Sequence, residues 1–427
     1  MHDSEDFYLQ NITKIEGHAT LSLKLENKKV EKCEFRITES QRFFEDMVLG
    51  KHFSQIPLIV SRICGLCSSS HLITALESIE TALDVIPSEQ TLVLRELSTN
   101  GEFIKSHALH LYMLALPDYL GRESILEFSD KEHHFIHDGL DLKKAGTDLL
   151  AALGGRPHQT VNLRVGGFSK FPSKEKLDSA RKSLEQARPK AIEAIKLFAG
   201  FAKKNPFERK TNYVALVGNG YCLLCGAIKA TDGTVVNEGS YLEHLHEYVV
   251  PYSTAKQAKF NGEEYMVGAL ARLNLNSKEM YPSVRRLIKE NRLKFPNESP
   301  FYNNVSQALE LLQCIDHSLE LIDKLKLRKE SLQKIEPKTS QGIGVTEAPR
   351  GILYHSYGLN KEGFIDKADI VVPTLQNCRN IEEDLKEFVP ALLSKPKAKA
   401  EYEIEKLIRS YDPCISCSTH FLKVNWD

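Results

Sequence analysis

Two Cys-x-x-Cys pairs near opposite ends of the chain constrain its fold more than any other feature. Cys64 and Cys67 lie in the segment RICGLCSSSH, and Cys414 and Cys417 lie in DPCISCSTH, within a chain of 427 residues. Because residues three positions apart project from the same face of a helical turn, each pair can chelate one metal centre. We therefore expect the fold to bring both ends of the chain together around a shared four-thiolate metal site.

Thiolate ligands do not by themselves identify the metal. Four thiolates in tetrahedral geometry are typical of structural zinc sites, but the pairs of such sites usually lie close together in small, loop-rich modules. Here the pairs are embedded in a chain long enough to bury large cores, and soft thiolates suit nickel and iron as well as zinc. A structural zinc-binding protein that acts as an interaction scaffold is the alternative interpretation.

The sequence around the cysteines resembles the large, catalytic subunit of the [NiFe] hydrogenases. Seven segments follow the order of that family's motifs: ITKIEGHA (12–19), RFFEDMVLGKHFSQIPLIVSRICGLCSSSH (42–71), SHALHLYMLALPD (106–118), VGALARLNL (267–275), TEAPRGILYH (346–355), VVPTLQN (371–377) and RSYDPCISCSTH (409–420). The length and the ending Cys-Ser-Thr-His are most similar to the cytoplasmic, bidirectional group, which includes NAD(P)-linked and sulfhydrogenase-type enzymes. Non-hydrogenase relatives of this fold, the other alternative, have lost the cysteines that this chain keeps.

Composition argues against several other classes of protein. The 56 basic and 57 acidic residues give a net charge of −1, which offers no electrostatic basis for binding nucleic acid or an anionic membrane. No apolar run approaches the roughly 20 residues that a membrane-spanning helix needs, and the N-terminal segment lacks the apolar stretch of a signal peptide. Nine cysteines without a secretory signal are typical of thiols in a reducing compartment, so we expect a cytoplasmic protein.

The hydrophobic pattern predicts a mainly α-helical protein with a minor β part, an α+β fold. Alternation over residues 17–39 predicts an N-terminal β-hairpin, and apolar spacings of three and four residues predict a helical core over about 54–336. Glycine-interrupted extended pieces over 341–373 predict a small sheet, and C-terminal helices with the second cysteine motif follow over 379–420. We expect residues 1–427 to form a single large catalytic domain. The family fold that the resemblance implies is the same: a central helical bundle with a hairpin and a small sheet.

The resemblance implies a nickel–iron centre with carbon monoxide and cyanide ligands on the iron. All four cysteines would bind nickel, with Cys64 and Cys414 as terminal ligands and Cys67 and Cys417 bridging to the iron. Such a centre requires a dry pocket that offers hydrogen-bond donors to the cyanide nitrogens.

The resemblance also identifies the residues around that pocket. Arg350 and Thr374 match the family's donors to the cyanides, and Pro349 precedes Arg350 in a restricted turn. Without the resemblance, Arg350 would be interpreted as a surface arginine in a loop.

Three further residues would surround the metals. Asp118 and Asp412 resemble acidic residues that roof the site near Arg350, and buried carboxylates need such a partner. His71 would lie near a bridging sulfur and donate a hydrogen bond to it.

A magnesium ion is implied as a second metal. Glu45, His420 and the backbone carbonyl of Cys378 match the family's magnesium ligands. A carboxylate and a carbonyl are oxygen ligands of the kind that Mg²⁺ prefers, whereas the imidazole is unusual. On its own, Glu45 would be interpreted as a solvated residue of an amphipathic segment.

The implied reaction is the reversible heterolytic cleavage of dihydrogen into protons and electrons. Dihydrogen is a very weak acid, so its cleavage needs a metal to bind it and a base to take the proton. By resemblance, Cys414 accepts that proton and Glu16, in KIEGH, relays it. A carboxyl group with a raised pKa in an apolar setting could do this near neutral pH, and a glutamate that caps the hairpin is the simpler interpretation.

The transfer of electrons away from the metal site requires partner subunits. The five cysteines outside the predicted site show no spacing suited to an iron–sulfur cluster. The resemblance implies an iron–sulfur small subunit, flavin-containing diaphorase subunits that pass electrons towards NAD(P) or a similar carrier, nickel-insertion proteins, and a maturation protease that cuts after His420.

A third Cys-x-x-Cys pair, Cys222 and Cys225, lies in the apolar run YVALVGNGYCLLCGAI. These surroundings predict a buried strand in which both cysteines act as small hydrophobic residues. No second pair or histidine pattern accompanies them, so we do not assign them to a metal site.

Overall fold

Helices make up the centre of the protein, which a computed structural model describes over residues 7–419. The helices are α1 Phe44–Val48, α2 Ile56–Val60, α3 Ser68–Leu83, α4 Glu89–Leu109, α5 Leu116–Leu120, α6 His133–Gly154, α7 Lys174–Ala202, α8 Ala269–Asn276, α9 Pro282–Glu290, α10 Tyr302–Lys324, α11 Pro373–Phe388, α12 Lys397–Ser410 and α13 Ile415–Ser418. Helices α4, α6, α7 and α10 pack on one another as a bundle. Within residues 7–419, no helix combines the length and apolar character needed to cross a membrane.

Serine caps begin two of the bundle helices. The Ser88 hydroxyl accepts a hydrogen bond from the Thr91 amide at 3.1 Å at the start of α4, and Ser173 accepts one from the Lys176 amide at 3.4 Å at the start of α7. Each serine follows a proline in the sequence. The caps satisfy amide groups that a helix leaves without intrahelical partners, so local sequence sets where these helices start.

Strands flank the bundle in small sheets. They are β1 Phe7–Leu9, β2 Ala19–Glu26, β3 Lys29–Ile37, β4 Leu163–Arg164, β5 Gly167–Phe168, β6 Asn212–Val217, β7 Ala227–Ala230, β8 Val235–Val236, β9 Leu245–Tyr248, β10 Gln257–Phe260, β11 Tyr265–Met266, β12 Ser340–Ala348, β13 Gly351–Leu359 and β14 Ile365–Val371. Sheets of order β1-β2-β3 and β12-β13-β14 are antiparallel, and a third has the order β11-β6-β7-β8. The mainly α-helical, α+β fold class is confirmed.

The prediction of a helical core over 54–336 misses the strands between 163 and 266. The segment NYVALV, which forms β6, is a short run rich in β-branched and aromatic residues with glycines after it. Such runs favour strands, but they are too short for their periodicity to distinguish a strand from a helix. The interruption of the helical core is therefore a correction to the sequence-based prediction.

The two ends of the described chain meet beside the N-terminal sheet. The Ile415 amide donates to the Glu16 carbonyl at 2.9 Å, and the Arg42 amide donates to the Thr419 carbonyl at 2.6 Å. The Arg42 guanidinium also donates to the Ser416 carbonyl. These contacts hold α13 against residues 12–19 and 42, which lie almost a full chain length away in sequence.

Helix α3 lies unusually close to strand β12. A Cβ atom added at Gly342 would lie 2.0 Å from the Ser78 carbonyl oxygen, and one added at Gly344 would lie 2.3 Å from that of Thr74. Only glycine permits this approach, because real Cβ atoms do not come so near a backbone oxygen. The contact places α3, which begins directly after Cys67, against the strand that leads to Arg350.

We expect the Gly344→Ala substitution to lower the free energy of unfolding by about 1–3 kcal/mol, because the methyl group forces α3 away from β12. The matched control is Gly200→Ala in α7, where an added Cβ meets no atom within 4 Å. That change should be neutral or stabilising by up to about 1 kcal/mol, since alanine favours a helix. Thermal or chemical unfolding of both variants measures the difference, and equal stabilities would contradict the close packing.

Candidate metal centre

The four cysteines of the two outer pairs converge on one buried point. Cys67 lies at the N-terminal end of α3 and Cys414 at that of α13. The Sγ atoms of Cys64 and Cys414 are 3.2 Å apart, those of Cys67 and Cys417 are 3.1 Å apart, and those of Cys414 and Cys417 are 3.0 Å apart. All four Sγ atoms lie within 4.8 Å of one another. Metal–sulfur bonds of about 2.3 Å fit this spacing, so the geometry suits thiolate ligation of a metal.

Burial and the neighbouring thiols shift the pKa of each cysteine in this cluster. Burial raises the pKa of Cys414 and of Cys417 well above the usual value, because a thiolate loses its hydration there. Hydrogen bonds from the thiols of Cys414, Cys417 and Cys67 lower the pKa of Cys64 instead. Four thiolates at one buried point therefore require a cation to compensate their charge, and metal binding releases protons.

A buried ion pair lies beside the sulfur atoms. Arg350 donates from Nε to the Asp412 carbonyl at 2.8 Å and from Nη2 to its carboxylate at 3.0 Å. Burial alone would lower the pKa of Arg350, but the charges of Asp412 and the cysteine thiolates raise it well above the usual value. Its Nη1 atom is buried and has no hydrogen-bond partner within residues 7–419. An orphaned donor of this kind fits a hydrogen-bond acceptor bound in the site.

A small enclosed cavity connects Arg350 to the thiols. Its volume is about 10 Å³, roughly the space that one water molecule requires. Its lining comprises Cys67, His71, Ala348, Arg350, Leu353, Pro373, Thr374, Cys414 and Cys417. Arg350, Thr374 and His71, which the resemblance implies as neighbours of the metals, thus line one cavity with three of the four cysteines.

Thr374 and His71 have further contacts in this cavity. The Thr374 hydroxyl oxygen accepts a hydrogen bond from the Cys414 amide at 3.0 Å, which fixes the start of α13. His71 Nδ1 hydrogen-bonds His355 Nε2 at 3.1 Å, and His355 Nδ1 hydrogen-bonds the Tyr357 hydroxyl at 2.6 Å. This buried chain orients the imidazole of His71 at the edge of the cavity.

A buried arginine that sequence reasoning missed supports the same turn. Arg272, on α8, donates to the carboxylate of Glu310 at 2.5 and 2.8 Å and to that of Glu347 at 2.7 Å. It also donates to the Pro349 carbonyl at 2.9 Å. Pro349 itself is not among the cavity's lining residues. A signal was present in the sequence, because an arginine within the apolar run VGALARLNL must find partners if that run is buried.

Glu16 touches the thiol cluster directly. Its Oε2 atom lies 3.3 Å from Cys414 Sγ and accepts a hydrogen bond from the Ser416 amide at 2.9 Å. Gly17 has a φ of +86°, and a Cβ there would lie 2.6 Å from the Cβ of Ile415. The glycine therefore lets the segment around Glu16 approach α13 closely enough for its carboxylate to reach the sulfur.

Asp118 has different partners from those predicted. Its carboxylate accepts hydrogen bonds from Arg409 at 2.6 and 3.0 Å and from Lys14 Nζ at 2.5 Å, and it is not among the residues that line the cavity. Arg409 also donates to the Thr13 carbonyl at 3.0 Å. Asp118 thus anchors the segment before Glu16, whereas Asp412 is the carboxylate that pairs with Arg350.

Two of the three expected magnesium ligands, Glu45 and Cys378, lie within the described residues. Glu45 accepts a hydrogen bond from the Ile370 amide at 3.0 Å, and its carboxylate lies 4.0 Å from Lys256 Nζ. Cys378 lies inside α11, where its carbonyl is in position to accept a helical hydrogen bond, and its side chain belongs to the apolar core beneath the N-terminal sheet. His420 lies outside the described residues, as does the predicted cleavage point after it.

The third Cys-x-x-Cys pair does not lie in the buried strand that its apolar neighbours predicted. Cys222 and Cys225 lie in the loop between β6 and β7 rather than in a strand, and Cys225 is exposed. The glycines around them, Gly218, Gly220 and Gly226, favour a turn over a continuous strand. The prediction of a buried residue is therefore wrong for Cys225, whereas Cys222 is buried as predicted, and the prediction of a strand is wrong for both.

Comparison with known proteins identifies the family of this chain. A family model described as nickel-dependent hydrogenase matches residues 42–137 and 226–420. The chain belongs to the nickel-dependent hydrogenase family. It is 33% identical to the sulfhydrogenase 1 subunit alpha of Pyrococcus furiosus over 97% of this chain and 98% of that protein, and 32% identical to the sulfhydrogenase 2 subunit alpha over 97% and 99%. The resemblance predicted from the ordered motifs is confirmed.

A solved hydrogenase has the same fold. The structure described as an NAD⁺-reducing [NiFe]-hydrogenase in the H₂-reduced state superposes with a TM-score of 0.88 at 23% sequence identity, over 97% of this chain and 99% of that one. Agreement at this identity concerns the fold. It is consistent with the large-subunit architecture of the hydrogenase family.

In this hydrogenase chain we expect Arg272→Met to lower the free energy of unfolding by about 3–5 kcal/mol, because it leaves two carboxylates buried without their cation. The control is Arg286→Met on α9, whose side chain is exposed and pairs with Glu290 only at 3.7 Å. That change should stay within about 0.5 kcal/mol of the parent protein. Chemical unfolding monitored by circular dichroism compares the two, and similar losses would contradict the supporting role of Arg272.

Proposed function

We propose that this chain catalyses the reversible heterolytic cleavage of dihydrogen at a nickel–iron centre held by its four converging cysteines. The observation that carries the proposal is the contact between Glu16 Oε2 and Cys414 Sγ, at 3.3 Å, in a group of four buried thiols. A structural zinc site has no need of a carboxylate against one of its sulfur ligands. A base relay for a proton requires that arrangement.

The residues present fit such a centre. When bound, a nickel–iron group with carbon monoxide and cyanide ligands supplies a Lewis-acidic place for dihydrogen and accepts its electrons. Cys64, Cys67, Cys414 and Cys417 would bind the nickel, with Cys67 and Cys417 shared with the iron. Among the described residues, the buried Nη1 atom of Arg350 has no hydrogen-bond partner, which suits a cyanide nitrogen, and the Thr374 hydroxyl is the second candidate donor.

The protein's own groups move the proton. The Cys414 thiolate takes it first, and the Glu16 carboxylate, held by the Ser416 amide, accepts it across the 3.3 Å contact. Glu16 is half-buried, whereas Cys414 is fully buried, so the carboxylate links the dry site to the outside of this chain. Asp118 and Arg409 hold the preceding backbone and thereby position Glu16.

Arg350 and its neighbours keep the pocket dry and charged. The Asp412 carboxylate holds the guanidinium in place, and the Gln307 side-chain amide donates to the second oxygen of that carboxylate at 3.0 Å. Every residue that lines the cavity is buried, so the site is poor in water. A water-poor site strengthens the electrostatic effect of these fixed charges on the reacting group.

The chain transfers its electrons to partner subunits and depends on other proteins for its assembly. The similar Pyrococcus proteins are named as alpha subunits, and the structural neighbour is named as NAD⁺-reducing. These names support an iron–sulfur small subunit as partner and flavin-linked subunits that reduce NAD(P) or a similar carrier in the cytoplasm. We include in the proposal a magnesium ion on Glu45, the Cys378 carbonyl and His420, and maturation by nickel-insertion proteins and a protease.

We expect Cys417→Ser to remove both nickel and iron, because a hard alkoxide cannot replace a bridging thiolate. Elemental analysis of the purified complex should give close to one nickel per parent chain and less than about a tenth of that in the variant, and the variant complex should hold about one iron atom fewer, because the remaining iron belongs to the iron–sulfur subunit. Cys33→Ser, at a lone buried thiol of β3, is the control and should keep both metals. Stoichiometric zinc without nickel in the parent protein would support the zinc scaffold instead.

We expect Glu16→Gln to retain the metals but to slow proton transfer by about a hundredfold or more, because an amide cannot accept and release the proton. The measurement is hydrogen–deuterium exchange between D₂ and water, alongside metal analysis. Glu39→Gln is the control, since Glu39 accepts a hydrogen bond from the His18 amide in the same region. An exchange rate near that of the parent enzyme would remove Glu16 from the proton path.

A further inference from the structure

The Cys222–Cys225 pair has the geometry of a redox-active dithiol. Its two Sγ atoms are 3.0 Å apart, and the pair does not belong to the four-thiol cluster. Within this loop Cys222 is buried, whereas Cys225 is exposed. The Leu223 carbonyl accepts a hydrogen bond from the Glu347 amide at 2.7 Å, so the loop is fixed to β12 between the two cysteines. A shift of about 1 Å would bring the sulfur atoms to disulfide bonding distance.

The loop stabilises a thiolate in this pair. The hydrogen bond from Cys225, together with backbone amides of Cys225 and Leu224 that point at the sulfur, lowers the pKa of Cys222 to about 7. The same thiol contact raises the pKa of Cys225 above its usual value. The pair therefore holds one proton and one negative charge near neutral pH, and the short contact lets the charge appear on either sulfur.

A groove leads to the exposed sulfur. It has a volume of about 670 Å³, within the range of small-molecule sites, and Cys225 and Leu224 line one side of it. Ile86 and Leu92 form apolar walls, and these residues are 82% and 49% exposed. The groove thus offers an apolar surface for a small molecule next to a reactive sulfur.

We propose that Cys222 and Cys225 form a thiol–disulfide exchange site that accepts small organic disulfides from this groove. The site lies apart from the metal centre, and it falls within residues 138–225, which the hydrogenase family model leaves unmatched. The proposal therefore stands independently of the hydrogenase reaction.

The exchange occurs in two balanced steps. The Cys225 thiolate attacks one sulfur of the disulfide, the disulfide bond breaks, and one thiolate leaves and takes a proton from solvent. Cys222 then gives its proton to solvent and attacks Cys225 Sγ, which forms the Cys222–Cys225 disulfide and releases the second thiolate to be protonated. The protein dithiol loses two electrons, and the small disulfide gains them as two thiols.

Charge in the groove predicts which disulfides react. Acidic residues dominate its polar lining, and Arg95 is already held by the Glu80 carboxylate through two hydrogen bonds of 2.6 Å. Lys338 pairs with Asp84, and burial raises the pKa of Glu96 and of Glu77, so the acidic charge of the lining is largely compensated and the negative charge of the dithiol is the main charge that a ligand meets. A cationic disulfide such as cystamine should therefore react several times faster than the anionic oxidised glutathione.

The experiment treats the purified hydrogenase complex with cystamine under anaerobic conditions, alkylates the remaining thiols and identifies the modified peptides by mass spectrometry. The parent protein should form an intramolecular Cys222–Cys225 disulfide and release two equivalents of cysteamine. Cys222→Ser should accumulate a stable cysteamine adduct on Cys225. Cys225→Ser should react at least about tenfold more slowly, because its remaining sulfur is buried.

Cys314→Ser is the matched control, because Cys314 is a lone buried thiol of α10 and its loss should leave the exchange unchanged. Metal content and hydrogen-oxidising activity should be retained in all three variants, which separates a failed exchange from a failed fold. The proposal is overturned if the parent pair stays reduced, if Cys225→Ser reacts at the parent rate, or if oxidised glutathione reacts as fast as cystamine.

Discussion

Buried ion pairs hold the four thiols together at one point, although those thiols come from opposite ends of the chain. Arg409 joins Asp118 to the backbone near Glu16, and Arg350 joins the sheet segment to Asp412, next to the second cysteine pair. Each pair loses hydration on burial and gains stability only from well-aligned partners. Such contacts favour one arrangement of the chain over others that bury the same apolar surface.

Arg272 extends this framework to the helical bundle. It connects α8 to Glu310 on α10 and to Glu347 on β12, and it holds the Pro349 carbonyl directly before Arg350. Burial would raise the pKa of Glu310, but the Arg272 guanidinium lowers it to about 2, so this carboxylate is ionised in the folded protein. The bundle thus fixes the turn that presents Arg350 to the metal cavity.

The protein separates two kinds of sulfur chemistry by burial. The four outer cysteines are buried together and Glu16 contacts one of them, so metal ligation is the natural use of these thiolates. Cys222 and Cys225 lie in a surface loop beside an open groove, where exchange with small disulfides is possible. The same Cys-x-x-Cys spacing therefore serves different chemistry because its surroundings differ.

The amino-acid sequence by itself determined the features that depend on short spacing. The cysteine pairs predicted a shared metal site, apolar periodicity indicated the main helices, and ordered motifs indicated the hydrogenase family. Long-range pairing was decided only by the tertiary structure. The Asp118 carboxylate pairs with Arg409 rather than with Arg350. Cys225 is exposed although the neighbouring residues in the sequence are apolar. Local patterns report backbone preference, whereas the partner of a buried charge and the exposure of a loop depend on segments that are distant in sequence.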